Sequence, residues 1–144
     1  MTDKISKSID INAAPSVVFQ ALTEPSEIKS HFPFERVESD KCEGGEYICY
    51  GTFNEEPFTD FGSISVFETD RAFAYRYWST NHGTQRTREN EISIRYDFSQ
   101  FASGTRLQVT QENMPSADYA AVMDGVWDHM LGLLKSNIEG TVDA

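Results

Sequence analysis

After Pro115 the apolar residues stop alternating and begin to recur every three or four positions: Tyr119, Met123, Val126, Trp127, Met130, Leu131, Leu134 and Ile138. That spacing draws one apolar stripe along an α-helix, and the stripe has to be buried against something. Ser116 is placed to cap the helix and Asp118 suits the positive end of its dipole. With its end near Gly140, the helix spans roughly 33 Å at about 1.5 Å per residue. Everything upstream must therefore build a surface that can receive one long helix.

The upstream sequence reads as strands. Residues 4–12 put Ile5, Ile9 and Ile11 on one face and Ser6, Ser8 and Asp10 on the other, the period of two that a half-buried strand requires. Ala13-Ala14-Pro15 opens a short helix to about residue 22, since proline is tolerated in a first helical turn. Pro25-Ser26 restarts a second helix ending near His31-Phe32, and Pro33 stops it. Six strand signals follow: 34–40 and 46–53 around a Gly44-Gly45 turn, Phe61–Glu68, a run through Phe73, Tyr75 and Tyr77, a run through Ile92, Ile94, Tyr96 and Phe98, and one through Thr105, Leu107 and Val109. Short turns between consecutive strands argue an antiparallel meander. The fold class is α+β, a curved antiparallel sheet in the order β-α-α-β6-α wrapped around the long C-terminal helix. No repeat or linker divides the chain, so one domain over residues 1–144 is expected.

Twelve basic residues stand against 23 acidic ones, a net charge of -11. Neither nucleic acid nor an anionic membrane surface is an expected partner, because both need clustered Lys and Arg. No apolar run approaches the ~20 residues of a membrane span and no signal-peptide core follows Met1, so the cytoplasm is the expected location. Cys42 and Cys49 lack a metal-binding spacing. Pairing Glu43 with Glu46 sets Cys42 against Tyr47 and disfavours a disulfide; a loop shifted by one residue would permit it.

Three segments, in this order, carry a family resemblance. They are Ile11-Asn12-Ala13-Ala14-Pro15 running into Val18-Phe19-Gln20-Ala21-Leu22-Thr23, then Glu43-Gly44-Gly45-Glu46-Tyr47, then Gly125-Val126-Trp127 with Leu131, Leu134 and Lys135. The chain resembles the family named after the activator of heat-shock protein 90 ATPase. That family belongs to the helix-grip superfamily, with the START lipid-transfer domains, the birch-pollen-allergen family and the polyketide cyclases. The resemblance implies a helix-grip fold with a cavity between sheet and helix. It does not imply chaperone activation, since the co-chaperone uses a further N-terminal domain for which these residues leave no room. Where the family often has tryptophan at the end of the second helix, this chain has His31-Phe32.

Alternation and helical spacing together nominate an apolar ligand site. Phe73, Tyr75, Tyr77, Ile92, Ile94 and Tyr96 would face inward from the sheet, and Met123, Trp127, Met130 and Leu131 from the helix, with Phe19, Phe32 and Phe53 closing the mouth. Each could simply fill a core. Three tyrosines on one inner face favour an open centre, because a buried hydroxyl without a partner costs about 1–3 kcal/mol. His31 is the histidine placed to touch a ligand; His82, in a loop beside Gly83, and His129, on the long helix, are expected in solvent. The carboxylates Glu56, Asp60 and Glu68 have no orientation that the pattern fixes. No metal, cofactor or catalytic set is expected: there is no G-x-S-x-G elbow, no phosphate loop and no metal spacing. A hydrophobic small molecule or lipid is the expected partner. An enzyme of cyclase or hydratase type using tyrosine or His31, and a chaperone-associated interaction domain, are the alternatives.

Overall fold

The computed structural model describes residues 4–142, with side chains to residue 140. Strand β1 (Ile5–Ile11) leads into helices α1 (Pro15–Thr23) and α2 (Pro25–His31), then β2 (Phe34–Ser39), β3 (Glu46–Phe53), β4 (Glu56–Glu68), β5 (Ala72–Ser79), β6 (Ile92–Phe101), β7 (Gly104–Glu112) and helix α3 (Ala117–Val142). All neighbouring strands pair antiparallel in the order β1-β7-β6-β5-β4-β3-β2. The chain enters at one edge of the sheet, crosses to the other through α1 and α2, and meanders back. This is the helix-grip architecture.

Local chemistry explains most boundaries. Pro15 and Pro25 begin the two short helices. The Ser116 hydroxyl accepts a hydrogen bond from the Tyr119 backbone N–H at 3.1 Å, the expected cap of α3. Gly104 opens β7 because the chain there passes under β1: a Cβ would sit 2.3 Å from the Ile11 carbonyl oxygen. Gly51 plays a similar part in β3, where a Cβ would meet the Phe58 ring at 2.7 Å.

Several expectations need correction. Strand β4 begins at Glu56, five residues before Phe61, because β3 and β4 are joined by a two-residue turn at Asn54 (φ 52°) and Glu55 (φ 67°). Two successive positive φ values make the turn whose twist suits a hairpin, but Asn-Glu is a weak signal beside Asn-Gly. A bulge between Ile64 and Val66 breaks the simple alternation of β4. It turns Phe67 rather than Val66 towards Phe73, with ring centroids 5.8 Å apart. The β2–β3 connection is wider than a Gly-Gly turn. Ser39 pairs with Tyr47 and Val37 with Cys49, which leaves Cys42 exposed in the loop, Cys49 buried and both thiols free. Residues 88–90 form a 3-10 turn that the pattern does not reveal, and α3 runs on past Gly140.

Helix α3 packs chiefly on β1, α1 and α2. Its C-terminal half is tied down there. Lys135 Nζ donates to the Asp10 carbonyl at 2.6 Å, Glu139 accepts from the Asn12 N–H at 2.9 Å, and Asn137 Nδ2 donates to the Ser30 carbonyl at 3.1 Å. Behind this seam the interior is solid. Phe19 meets Phe67 and Phe98 edge-on, each at 5.3 Å, and Phe73 stacks parallel to Tyr96 at 6.0 Å. The N-terminal half of α3 stands over the other part of the concave face, where β3, β4 and β5 are less closely covered.

Candidate functional site

Between the first turns of α3 and the concave face lies an open cleft of about 520 Å³. Phe32, Phe34, Phe53 and Phe58 line one side, Val122, Met123, Val126, Trp127 and Met130 the helix side, and Tyr75, Tyr77, Ile94 and Tyr96 the floor. Phe53 and Val122, at the mouth, are 56% and 55% exposed. Two large apolar side chains in water on either side of one opening are more informative than scattered ones.

Nine of the fourteen nominated residues line this cleft: Phe32, Phe53, Tyr75, Tyr77, Ile94, Tyr96, Met123, Trp127 and Met130. The other five sit elsewhere. Phe19, Phe73, Ile92 and Leu131 belong to the filled interior. His31 is buried against α3 rather than the cleft, with Nδ1 3.1 Å from Asn137 Nδ2 and, among the described residues, no partner for Nε2. Burial lowers its pKa, so the ring is held neutral. The next residue, Phe32, takes the cleft position, its ring edge-on to Trp127 at 6.2 Å.

A polar wall borders the cleft, and its hydrogen bonds run in a chain of which Trp127, Tyr77 and Tyr119 line the cleft while Gln111 and His82 do not. Trp127 Nε1–H donates to Gln111 Oε1 at 2.7 Å, and Gln111 Nε2 donates to Tyr77 Oη at 3.4 Å. Tyr77 Oη lies 3.1 Å from Tyr119 Oη, which lies 3.3 Å from His82 Nε2. At the far end the Ser79 backbone N–H donates to His82 Nδ1 at 3.3 Å. His82 is therefore not the solvent-exposed imidazole expected of its loop. Its ring packs on Tyr77 and Tyr119 at 5.6 and 5.1 Å, and burial drives its pKa down to about 4. His129 is exposed, as expected.

Asp60 also lines the cleft. It pairs with Ser79 across β5 and with Cys49 across β3. Burial raises its pKa to about 6, against the pull of a hydrogen bond with Ser79. Among the described residues no cation pairs with it. Burial also pushes the phenols of Tyr75, Tyr77 and Tyr96 up, and that of Tyr119 to about 12, so all four are neutral donors. Among the described residues no group of His, Cys, Asp and Glu is arranged to hold a metal, and no helix is long and apolar enough to cross a membrane.

The polar wall is partly legible in the sequence. Leu107, Val109 and Gln111 share one parity on β7, so Gln111 has to face inward. Asp60 shares parity with Gly62 and Ile64, a relation hidden by starting the strand at Phe61. No pattern points to His82, whose place depends on the path of a loop.

A seven-stranded antiparallel sheet gripping a long helix, with a cleft between them, defines a helix-grip protein. Residues 12–139 match the model of the family described as activator of Hsp90 ATPase homolog 1-like protein, and the chain belongs to that family. Among curated proteins none matches the sequence closely enough to count as a relative. Solved structures agree with the fold. Protein ChR145 from Cytophaga hutchinsonii superposes with a TM-score of 0.83 at 25% identity, over 99% of this chain and 97% of its own. CalU16 from Micromonospora echinospora gives 0.77 at 20% identity, over 96% of this chain and 76% of its own. The Aha1 dimer from Colwellia psychrerythraea gives 0.75 at 18% identity, over 95% and 96%.

Proposed function

We propose that the protein binds a small apolar or aromatic molecule in the cleft between α3 and the β3–β6 face. The observation that carries this reading is the cleft itself: about 520 Å³, walled mainly by aromatic and aliphatic side chains, with a few polar groups among them. Small-molecule sites combine those two features. Affinity would come from burying ring surface against Trp127, Tyr75 and Phe32, and orientation from the polar wall.

The test is to fill the cleft without touching the core. Met123 is half-buried on the helix side, and Met123→Trp should occupy the space a guest would take. Titration with the neutral fluorophore phenylnaphthylamine should show saturable binding to the wild type. The variant should bind at least tenfold more weakly while unfolding at the same temperature. Equal binding by both proteins would sink the assignment of the cleft. Native mass spectrometry of protein from its own host would identify a retained guest.

Asp60 favours a second reading, an enzyme of cyclase or hydratase type. A carboxyl titrating near neutral pH, in a cleft beside phenols, is suited to proton transfer. The two readings separate on one variant: Asp60→Asn would remove turnover in an enzyme and leave binding in a carrier. A chaperone partner rests on the family name alone.

A further inference from the structure

The polar wall has a proton to spare. Both ends of its hydrogen-bond chain are fixed by groups that only donate. Trp127 Nε1–H requires an acceptor, so Gln111 presents its oxygen to Trp127 and its amide nitrogen to Tyr77. The Ser79 backbone N–H likewise makes His82 Nδ1 an acceptor. A neutral imidazole then carries its hydrogen on Nε2 and donates it to Tyr119. Donation thus runs inward from both ends and meets at the two phenols.

Two hydroxyl protons are left to place, and the single contact between Tyr77 and Tyr119 consumes one. Whichever way that bond points, the other hydroxyl has accepted twice and has no acceptor in the chain. Asp60 does not absorb it: neither phenol makes a hydrogen bond to that carboxyl, which acts on both only through its charge. Both tyrosines line the cleft. We infer that the Tyr77–Tyr119 pair offers one hydroxyl proton to a guest, and that the cleft therefore selects neutral apolar molecules bearing a hydrogen-bond-accepting oxygen, such as a ketone. This rests on the binding reading above and adds the chemistry of the guest. The demand for neutrality comes from Asp60, whose charge both phenols feel and which would repel a carboxylate.

A matched pair of dyes tests this: a neutral naphthalene carrying a propionyl ketone, and the same ring carrying a propyl chain. The two differ by one oxygen. The wild type should bind the ketone about tenfold more tightly than the alkyl dye, the scale of one net hydrogen bond. The proton count makes a second demand. In Tyr119→Phe, Tyr77 still accepts from Gln111 and keeps a free hydroxyl proton. In Tyr77→Phe, Tyr119 still accepts from His82 and keeps one too. Each single variant should retain the ketone preference, and only Tyr77→Phe/Tyr119→Phe should lose it. A ketone carbonyl stretch shifted to lower frequency in the wild type, and not in the double variant, would report the hydrogen bond directly. Equal binding of both dyes to the wild type would overturn the inference and leave the cleft as a binding site. A preference unchanged in the double variant would overturn it as well. Failure of both dyes to bind would instead count against the binding reading itself.

Discussion

Replacing Trp127 with alanine is expected to lower the free energy of unfolding by about 3–5 kcal/mol, the range for deleting a buried aromatic side chain. Trp127 is 2% exposed and stands where three parts of the structure converge. Its ring meets Phe32 after α2 at 6.2 Å and Tyr96 on β6 at 6.0 Å, and its N–H reaches Gln111 on β7. The cost has two parts that a second variant separates. Trp127→Phe keeps most of the ring burial but leaves Gln111 Oε1 without its donor, and should cost about 1–3 kcal/mol. Urea denaturation followed by far-ultraviolet circular dichroism measures both. A loss below about 1 kcal/mol for the alanine variant would mean that the helix is not held to the sheet at this point. If the variant is too unstable to isolate, the phenylalanine variant still tests the hydrogen bond. Its loss also frees Gln111 to turn over, so the fixed direction of the polar wall depends on the same residue.

How much of this is legible in the sequence follows from the range of each signal. Helical spacing in α3 and alternation in β6 are repeated many times within one element, and both point to the right residues. Signals made once, at a single turn, are weaker. Asn54-Glu55 closes a tight hairpin with no glycine to announce it, and the bulge at Ser65 reverses the phase of a strand in mid-course. The lining of the cleft can be read as far as parity carries it. Parity separates inside from outside. It does not separate the filled end of the interior from the open end, and so it groups Phe73 and Ile92 with residues that line the cleft, as helical spacing does Leu131; Phe19, expected at the mouth, likewise lies in the filled interior. That distinction depends on where a straight helix departs from a curved sheet, a matter of three-dimensional path. His31 shows the same limit at the scale of one residue: the end of α2 is at the cleft, but its last side chain points to Asn137 and the following one points to Trp127.

Asp60→Asn is expected to stabilise the protein at pH 8 and to do nothing at pH 4. The folded protein holds the Asp60 carboxyl near pKa 6, above its ordinary value of 3.8. A group whose folded pKa is raised contributes its full stability below the unfolded value and loses it as pH rises through the folded one. The wild type should therefore lose stability from this group between about pH 4 and pH 7. A tenfold change in acidity corresponds to about 1.4 kcal/mol; with screening at the open side of the cleft the expected total is about 2 kcal/mol. Cys49, Ser79, Tyr77 and Tyr119 surround the carboxyl, and none carries a compensating positive charge. His82 acts in the opposite sense. Its pKa is depressed from 6.5 to about 4, so its contribution is present above pH 6.5 and fades as pH falls towards 4. In the wild type the Asp60 and His82 slopes partly cancel; Asn at position 60 removes that opposition, leaving the His82 slope, to which His31 adds in the same sense. The measurement is the difference in unfolding free energy between variant and wild type across pH 4–8. It should rise from near zero through a midpoint near pH 5, halfway between the ordinary pKa of 3.8 and the folded value of about 6, and level off above the latter. A difference independent of pH would place the Asp60 carboxyl in ordinary solvent. The predicted profile would instead mark a charge kept in an apolar cleft at a cost to the fold, which points to a site selected for what it binds.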